Sequence, residues 1–260
     1  MKRPGDLKIT IITACKNSKN FLTETIESVI NQSYKNIEYL IIDGNSSDGS
    51  VEIIQRYAEK VVWLSEADSG MYDAINKGLQ LATGDYILIL NSDDVLANND
   101  TIKNVVVEIC TGYLDYYYGN MIKSNKGKSK KVKLFQVTFH QLLLSTHGTF
   151  VPHPCFFIST GTNKALGGYD LKYRYASDYD YILRALAVTG NNGKYIDTDI
   201  TDFRLHENSI TASGKIDSER KKILLKHGYY KHSFLKRVFS YYTLWIYYKL
   251  INLGNSYKAG

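Results

Sequence analysis

The first hundred residues alternate short apolar runs with helical segments, and this alternation constrains the fold more than any other feature of the chain. The apolar runs are 7–14, 37–42, 61–64 and 86–90, and the predicted helices between them are 20–32, 51–59 and 73–82. In the first of these helices the apolar residues recur at helical spacing. Strands that alternate with helices predict a parallel, doubly wound sheet.

Polar residues gather where two of these strands end. Asp43 follows the second strand, and Asn91, Ser92, Asp93 and Asp94 follow the fourth. Ligands of open α/β sheets bind beyond the carboxyl ends of the strands, so we expect a site there. Adjacent carboxylates also suit Mg²⁺, which is usually held by one or two carboxylates together with substrate phosphates. An isolated Ser-Asp-Asp is more often a solvated turn, and the residues alone leave both interpretations open.

Two common nucleotide-binding motifs are absent from the sequence. Neither G-x-G-x-x-G nor G-x-x-x-x-G-K-[ST] occurs, so a dinucleotide site and a P-loop lose their main support. The three cysteines, Cys15, Cys110 and Cys155, are scattered and show no C-x-x-C spacing, which argues against a disulfide framework and a thiolate zinc site. Residues 1–8 lack the zones of a signal peptide. We therefore expect a cytoplasmic protein.

The net charge of +6 is distributed unevenly along the chain. Residues 217–260 hold nine Lys and Arg against two Asp and Glu, which gives +7, and residues 123–133 add six lysines and no acid. The remainder is therefore acidic, at −7. The lysine-rich stretch 123–133 also contains Ser and Gly, which predicts an exposed loop or hairpin. Nucleic acid, an anionic membrane surface and pyrophosphate all suit basic segments, and charge alone does not choose between them.

Four ordered motifs resemble a known family. They are IITACKN at 11–17, IIDGNSSDGS at 41–50, EADSGMYDAINKG at 66–78 and ATGDYILILNSDD at 82–94. Over 9–97, and again over 152–206, the chain resembles the inverting nucleotide-sugar glycosyltransferases of family 2. The third motif is similar to the form found in members that build bacterial capsule, exopolysaccharide or lipopolysaccharide O-chains.

The resemblance implies a GT-A fold, which is α/β with a Rossmann-like, doubly wound and mostly parallel sheet, a smaller acceptor-side sheet and a C-terminal helical tail. Residues 1–216 would form the glycosyltransferase domain, with a nucleotide-sugar-binding half at 1–98 and an acceptor-side half at 99–216. Residues 217–260 would be the basic, aromatic tail. The implied activity is transfer of a sugar from a UDP- or GDP-sugar to an acceptor hydroxyl with inversion.

The resemblance also implies a set of donor-site residues. Thr13, Ala14 and Asn17 would border the nucleotide, Asp43 would accept a hydrogen bond from uracil or guanine, Asn76 and Lys77 would face the ribose or diphosphate, and Ser92 and Asp93 would complete the site. Simpler roles stay open for three of these residues. Asp43 could cap or organise a turn, and Asn76 and Lys77 could lie on a solvated helix face.

The metal motif of the family is usually Asp-x-Asp, but Asn91 stands at its first position here. Asp93 is therefore expected to be the leading ligand of Mn²⁺ or Mg²⁺. Asp94 is expected either to bind the metal as well or only to orient Asp93. His206 follows the last predicted strand, where a histidine in related enzymes closes over the metal or the diphosphate. An ordinary structural role for His206 stays open.

The acceptor side is expected in the second half of the chain. Residues 151–157 and 166–170 resemble the strand and the Gly-Gly-aromatic-Asp turn of the family. Residues 175–184 resemble its Glu-Asp-x-x-x-x-x-Arg helix, with Asp178 at the position of the catalytic base and Ser177 in place of the usual Glu. Asp180 is the nearest rival, but two residues along a helix turn a side chain well away from the first.

Residues 231–252 combine apolar and aromatic residues at helical spacing with several basic ones. The apolar run is too short to span a bilayer, which needs about 20 residues. Tyr, Trp, Lys and Arg suit a helix that lies in the membrane interface, here the inner face of the plasma membrane. A helix packed on the domain or on another subunit stays open.

The expected partners are a nucleotide-sugar donor and a glycan or lipid-linked oligosaccharide acceptor, without nucleic acid. A sugar nucleotidyltransferase is a rival, but it should show a Gly-rich phosphate loop with Arg after the first strand, and residues 13–18 do not form one. A non-catalytic nucleotide-sugar-binding or membrane-scaffold protein is a second rival, because Asn91 and Ser177 both depart from the acidic pattern.

Overall fold

The first half of the chain forms four parallel strands joined by three helices, as the alternation predicts. The computed structural model describes residues 3–145, 151–205 and 216–255 and the backbone of 258–259. The strands are β1 (Ile9–Cys15), β2 (Ile37–Asp43), β3 (Val62–Ser65) and β4 (Tyr86–Ile89), and the helices are α1 (Leu22–Ile30), α2 (Ser50–Arg56) and α3 (Met71–Leu81). Strand β1 pairs in parallel with β2 and β4, and β2 pairs in parallel with β3.

Burial on both faces explains why these strands are apolar throughout. Six of the seven residues of β1 are buried, because helices cover the sheet on both sides. Helix α3 packs closely on β1 through Gly78, where a Cβ atom would lie 2.5 Å from Cγ2 of Ile12. A larger residue at this position would push α3 away from the sheet.

The second half extends the same sheet. Its elements are β5 (Val95–Leu96), α4 (Thr101–Gly112), β6 (Tyr116–Asn125), β7 (Lys128–Val132), α5 (Phe139–Ser145), β8 (Phe156–Ser159), α6 (Thr160–Leu166), α7 (Ser177–Val188) and β9 (Gly193–Arg204). Strand β8 lies antiparallel between β4 and β6, and β9 pairs with both β5 and β6. The strands of the second half are therefore continuous with those of the first half. The lysine-rich stretch is the β6–β7 hairpin, as predicted.

The tail comprises α8 (Ile216–Lys226), α9 (Phe234–Ile251) and β10 (Lys258–Ala259), which pairs with β7. The sheet order is β10-β7-β6-β8-β4-β1-β2-β3, with β5 and β9 beside it. One apolar core lies between the sheet and α3, α5 and α7, and the other lies between the sheet and α1, α2 and α4. These layers confirm the predicted α/β class.

Helix α9 uses one of its faces to pack on the domain. Leu244 is buried in the core, the rings of Tyr247 and Phe135 meet edge to face at 4.7 Å, and the Asn252 side chain pairs with the backbone of Lys133. A second face is apolar and exposed, and it consists of Leu235, Phe239, Tyr242, Ile246 and Leu250. In the part of the chain that the structure describes, no helix is long and apolar enough to cross a membrane.

Candidate active site

A cleft of about 620 Å³ opens beyond the carboxyl ends of β1 and β4. Its lining includes residues 14–18 and 89–93, the start of α3, the loop before β8, the start of α7 and one side of α8. The volume lies within the range of about 300–1,000 Å³ that is typical of small-molecule sites. The position is the one that the strand-end rule predicts.

Hydroxyl and amide groups tie together the three loops that follow β1, β2 and β4. Asn17 donates its N–H to Oγ of Ser46 at 2.8 Å, and its side-chain oxygen accepts the N–H of Ser47 at 3.0 Å. Its φ of 52° lies in the left-handed region, which asparagine tolerates better than most residues. Ser18 and Ser92 share a hydroxyl hydrogen bond of 2.8 Å. One side of the cleft is thus held in shape before any ligand binds.

Asp43 organises the loop after β2 from a fully buried position. Its oxygens accept hydrogen bonds from the N–H and hydroxyl of Ser46, from the hydroxyl of Ser65 at 2.7 Å and from the thiol of Cys15 at 3.5 Å. Four contacts saturate the acceptor capacity of a carboxylate. In this structure Asp43 therefore has the turn-organising role that the sequence left open, and it does not line the cleft.

The two adjacent carboxylates after β4 have different surroundings. Asp93 lines the cleft. Asp94 is fully buried, and its oxygens accept the side-chain amide of Asn91 at 2.7 Å and the N–H of Arg204 at 3.0 Å. Burial raises the pKa of Asp94, and the negative charge of Asp93 raises it further. Asp94 and Asn91 thus support the strand end, and Asp93 is the carboxylate presented to a ligand.

The concentration of negative charge at this strand end fits a divalent cation. A cation bound to Asp93 would offset the repulsion between the two carboxylates. No group of three or more His, Cys, Asp or Glu forms a ready metal cluster in 3–145, 151–205 and 216–255, and His206 lies outside these residues. A single carboxylate together with ligand phosphates is nevertheless a usual way of holding Mg²⁺.

Asp178 faces the same cleft from the first turn of α7. Its Oδ1 accepts the hydroxyl of Tyr72 at 3.2 Å and the N–H of Tyr179 at 2.8 Å, and no described residue donates to its Oδ2. Burial raises the pKa of Tyr72 well above its ordinary value, so this hydroxyl remains a donor at neutral pH. Oδ1 of Asp178 is therefore held by two hydrogen bonds, and Oδ2 can accept a proton.

A stack of tyrosines holds Tyr72 in place. Its ring lies parallel to Tyr169 at 5.5 Å, and Tyr169 stacks on Tyr181 at 4.2 Å. The hydroxyl of Tyr169 pairs with Nε2 of His153, a buried residue whose pKa is lowered by burial. Rigid packing of this kind restricts where the Asp178 carboxylate can lie.

Asp180 is fully buried outside the cleft lining and contacts three basic side chains. It accepts hydrogen bonds from Nε of Arg184 at 2.7 Å, Nζ of Lys226 at 3.0 Å and Nε2 of His227 at 2.8 Å. Burial alone would raise the pKa of Asp180, but these hydrogen bonds outweigh it and hold the pKa well below its ordinary value. The structure thus separates the two rival carboxylates of α7.

A turn between α6 and α7 is clamped from two sides. Arg184 donates to the carbonyls of Leu166 at 2.9 Å and Gly168 at 2.7 Å. The side chain of Asn76 accepts the N–H of Tyr169 at 2.8 Å and donates to its carbonyl at 2.9 Å. Gly168 has a φ of +82°, which a side chain rarely adopts. Asn76 and Arg184 thus hold the turn between α6 and α7 in place.

Comparison with known proteins places these features in a family. Residues 10–166, more than half of the chain, match the family model for glycosyl transferase family 2. The chain belongs to glycosyl transferase family 2. It is 30% identical over 183 residues to an uncharacterized glycosyltransferase of Mycobacterium tuberculosis, covering 69% of each chain. It is 28% identical over 185 residues to a PGL/p-HBAD biosynthesis glycosyltransferase of Mycobacterium bovis, covering 68% of this chain and 69% of that one.

Solved structures share the fold of this glycosyltransferase. Residues 1–349 of TarS from S. aureus, in complex with UDP-GlcNAc, superpose with a TM-score of 0.71 at 20% identity, over 85% of this chain and 66% of that one. The mannosyltransferase PcManGT from Pyrobaculum calidifontis, in complex with GDP-Man and Mn²⁺, superposes with a TM-score of 0.66 at 16% identity, over 95% and 71%. The GT-A fold that the resemblance implied is confirmed. The chain spans just under two thirds of that TarS chain.

The predicted site residues of this glycosyltransferase fall into three groups. Five line the cleft, namely Ala14, Asn17, Ser92, Asp93 and Asp178. Five others are outside its lining, namely Thr13, Asp43, Asn76, Lys77 and Asp94. His206 lies outside the described residues. Lys77 pairs with Glu66 at 2.7 Å and donates to the carbonyl of Ala67 at 2.9 Å, so it is engaged within the protein rather than solvated.

Sequence reasoning missed several polar residues of the cleft wall. Asp68, Tyr72, His153, Lys123 and Arg220 all line the cleft. Asp68 and Tyr72 lie inside the third motif, so the motif itself was a signal for them. Lys123 and Arg220 stand in segments that were interpreted only as basic attachments.

Proposed function

We propose that this family 2 glycosyltransferase moves a sugar from a UDP- or GDP-sugar to an acceptor hydroxyl with inversion, using Mn²⁺ or Mg²⁺. The observation that supports this most directly is that Asp93, which follows β4, and Asp178, at the start of α7, line the same cleft. The nucleotide sugars bound to TarS and PcManGT, and the Mn²⁺ bound to the latter, support the donor class and the metal.

Asp93 is the residue that would hold the metal on the donor side. A divalent ion there supplies charge that offsets the negative charge developing on the departing diphosphate. Residues 14–18 and 89–93 form the wall of the cleft on which the donor lies, and the hydrogen bond between Ser18 and Ser92 keeps the two loops together. Asp94 stays buried and holds the strand end through Arg204 and Asn91.

On the acceptor side, Asp178 would act as the general base. The acceptor oxygen forms its bond to the anomeric carbon while the bond from that carbon to the diphosphate breaks, and the hydroxyl proton passes to Oδ2 of Asp178. Attack from the side opposite the leaving group inverts the configuration, so no covalent intermediate is needed. Tyr72 keeps Oδ1 occupied and so aims Oδ2 at the acceptor.

The metal dependence of donor binding tests this function. We expect UDP or GDP to bind more tightly with Mn²⁺ than with EDTA, and we expect Asp93→Ala to remove the difference, because Asp93 is the carboxylate after β4 that lines the cleft. Titration calorimetry of both proteins with and without the metal measures it. Glu59→Ala, an exposed acid at the end of the α2 region, is the matched control and should behave like the wild type. Equal affinity with EDTA and Mn²⁺ in the wild type contradicts the proposal.

The acceptor proposed here is a glycan or a lipid-linked oligosaccharide of cell-surface polysaccharide biosynthesis, reached at an anionic membrane surface through the exposed face of α9. Leu235 and Phe239 on that face are 78% and 74% exposed. The local charge of +7 in residues 217–260 attracts anionic lipid. The same charge opposes pairing of this face with a second copy of the chain.

Vesicle binding tests the membrane contact. Replacing Phe239 and Ile246 together by Ser removes two exposed apolar side chains worth about 1.5 kcal/mol each, which lowers partition by about 100-fold. Flotation with vesicles rich in phosphatidylglycerol measures the loss. Val107→Ser, at an exposed apolar residue of α4, is the control that should leave binding unchanged. If the double variant binds the vesicles as tightly as the wild type does, α9 does not have this role.

A further inference from the structure

Helix α8 contributes a cation to the acceptor side of the cleft that neither donor binding nor the general base explains. Arg220 lines the cleft together with Ile216 of the same helix and with the residues around Asp178. Only 25% of its side chain is exposed. A guanidinium with this little exposure loses part of its hydration, which a partner of opposite charge would replace.

The charge of Arg220 is poorly satisfied within the protein. Its Nε is buried and has no hydrogen-bond partner among the described residues. Its Nη1 lies 3.5 Å from Asp217, but that carboxylate is 77% exposed, so the pair is weak. The guanidinium lies 6.0 Å from the centre of the Tyr179 ring, a contact that supplies no hydrogen-bond acceptor for Nε. A buried donor without an acceptor costs free energy, which a bound anion would recover.

The neighbouring residue fixes Arg220 relative to the general base. Glu219 accepts the N–H groups of Arg174 at 2.8 Å, Tyr175 at 2.7 Å and Ala176 at 3.0 Å, and these three residues lead directly into α7. Helix α8 is thus locked onto the backbone that presents Asp178. Arg220 therefore keeps a constant position beside the acceptor side of the cleft.

We propose that Arg220 is an anion subsite for the acceptor, so that the acceptor carries an oxyanion, phosphate or carboxylate, close to the hydroxyl that receives the sugar. This inference rests on the proposed function and specifies its acceptor class. The planar guanidinium presents paired N–H donors that match the oxygens of either group. The proposed function assigns the diphosphate of the donor to Asp93 and not to Arg220.

The test fills the donor site first and then measures anion binding at the acceptor side. The enzyme is saturated with UDP and Mn²⁺, and the dissociation constants of glycerol 3-phosphate, glycerate and neutral glycerol are measured by ligand-observed NMR. We expect at least one of the two anions to bind about tenfold or more tightly than glycerol, since one charge-assisted contact gives about that factor. Binding of one anion alone identifies the group that the acceptor carries.

Arg220→Gln should remove this preference, and Arg220→Lys, which keeps the charge but not the paired donors, should retain part of it. Arg174→Gln is the matched control, because Arg174 is a nearby exposed arginine outside the cleft lining. UDP affinity should be the same in all four proteins. The proposal is overturned if neither anion is preferred, if Arg220→Gln retains the preference, or if that variant loses UDP affinity. Failure of the wild type to bind either UDP or GDP with Mn²⁺ refutes the proposed function instead.

Discussion

Asp178→Asn is expected to lower the rate of sugar transfer by about 10²–10⁴ while donor affinity stays close to that of the wild type. Asparagine has the same shape as aspartate, and Tyr72 can still donate to its oxygen. It cannot take the proton of the acceptor hydroxyl. The defect should therefore appear in the chemical step and leave binding intact.

The measurement is release of UDP or GDP in single turnover with acceptor, with donor affinity determined separately by calorimetry. Asp170→Asn, which removes a carboxylate of the nearby turn that does not line the cleft, is the control and should transfer at nearly the wild-type rate. If Asp178→Asn keeps most of its transfer rate, or if weak donor binding is its main defect, another residue is the base.

Asp180→Asn should damage stability instead, lowering the free energy of unfolding by about 3–5 kcal/mol. The substitution leaves Arg184, Lys226 and His227 around a buried amide that carries no charge. Urea unfolding at neutral pH measures the loss. Asp170→Asn is again the matched control, because Asp170 also contacts Lys226, at 3.4 Å, but is partly exposed and should cost less than about 1 kcal/mol.

The stability difference should also depend on pH in a defined direction. Because the folded state lowers the pKa of Asp180, its contribution is fully present above the ordinary Asp pKa of about 3.9 and is lost as pH falls through the lower folded value. Wild type and Asp180→Asn should therefore converge in acid. A variant that unfolds like the wild type at neutral pH but fails to transfer would instead make Asp180 the catalytic carboxylate.

Features that depend on neighbouring residues in the sequence could be predicted, whereas features that depend on contacts between distant residues could not. Strands β1 to β4 and their helices follow from local periodicity, and the strand-end rule then places Asp93 at a site. The roles of Asn76 and Asp94 could not be predicted from local periodicity, because their hydrogen-bond partners are distant in the sequence. Asn76 bonds to Tyr169, 93 residues away, and Asp94 bonds to Arg204, 110 residues away.

The same reasoning explains the fate of the two acids of α7. Helical geometry alone predicts that Asp178 and Asp180 point in different directions, and the structure agrees. Residue type and spacing do not reveal that Asp180 meets Lys226 and His227, which belong to α8 and the residue after it. Arg220 was missed for a related reason. The net charge of residues 217–260 does not show which side chain of that segment faces the cleft.

The bonds made by Glu219 have a consequence for how this enzyme can be divided. The three N–H groups that precede α7 depend on a carboxylate from the segment that sequence alone treats as an attachment. A fragment ending near residue 216 would lose the buried core residues Ile223, Leu224 and Leu244 together with the anchor of the loop leading to Asp178. Removing or exchanging the tail is therefore expected to disturb the loop that leads to Asp178 as well as the surface of the protein.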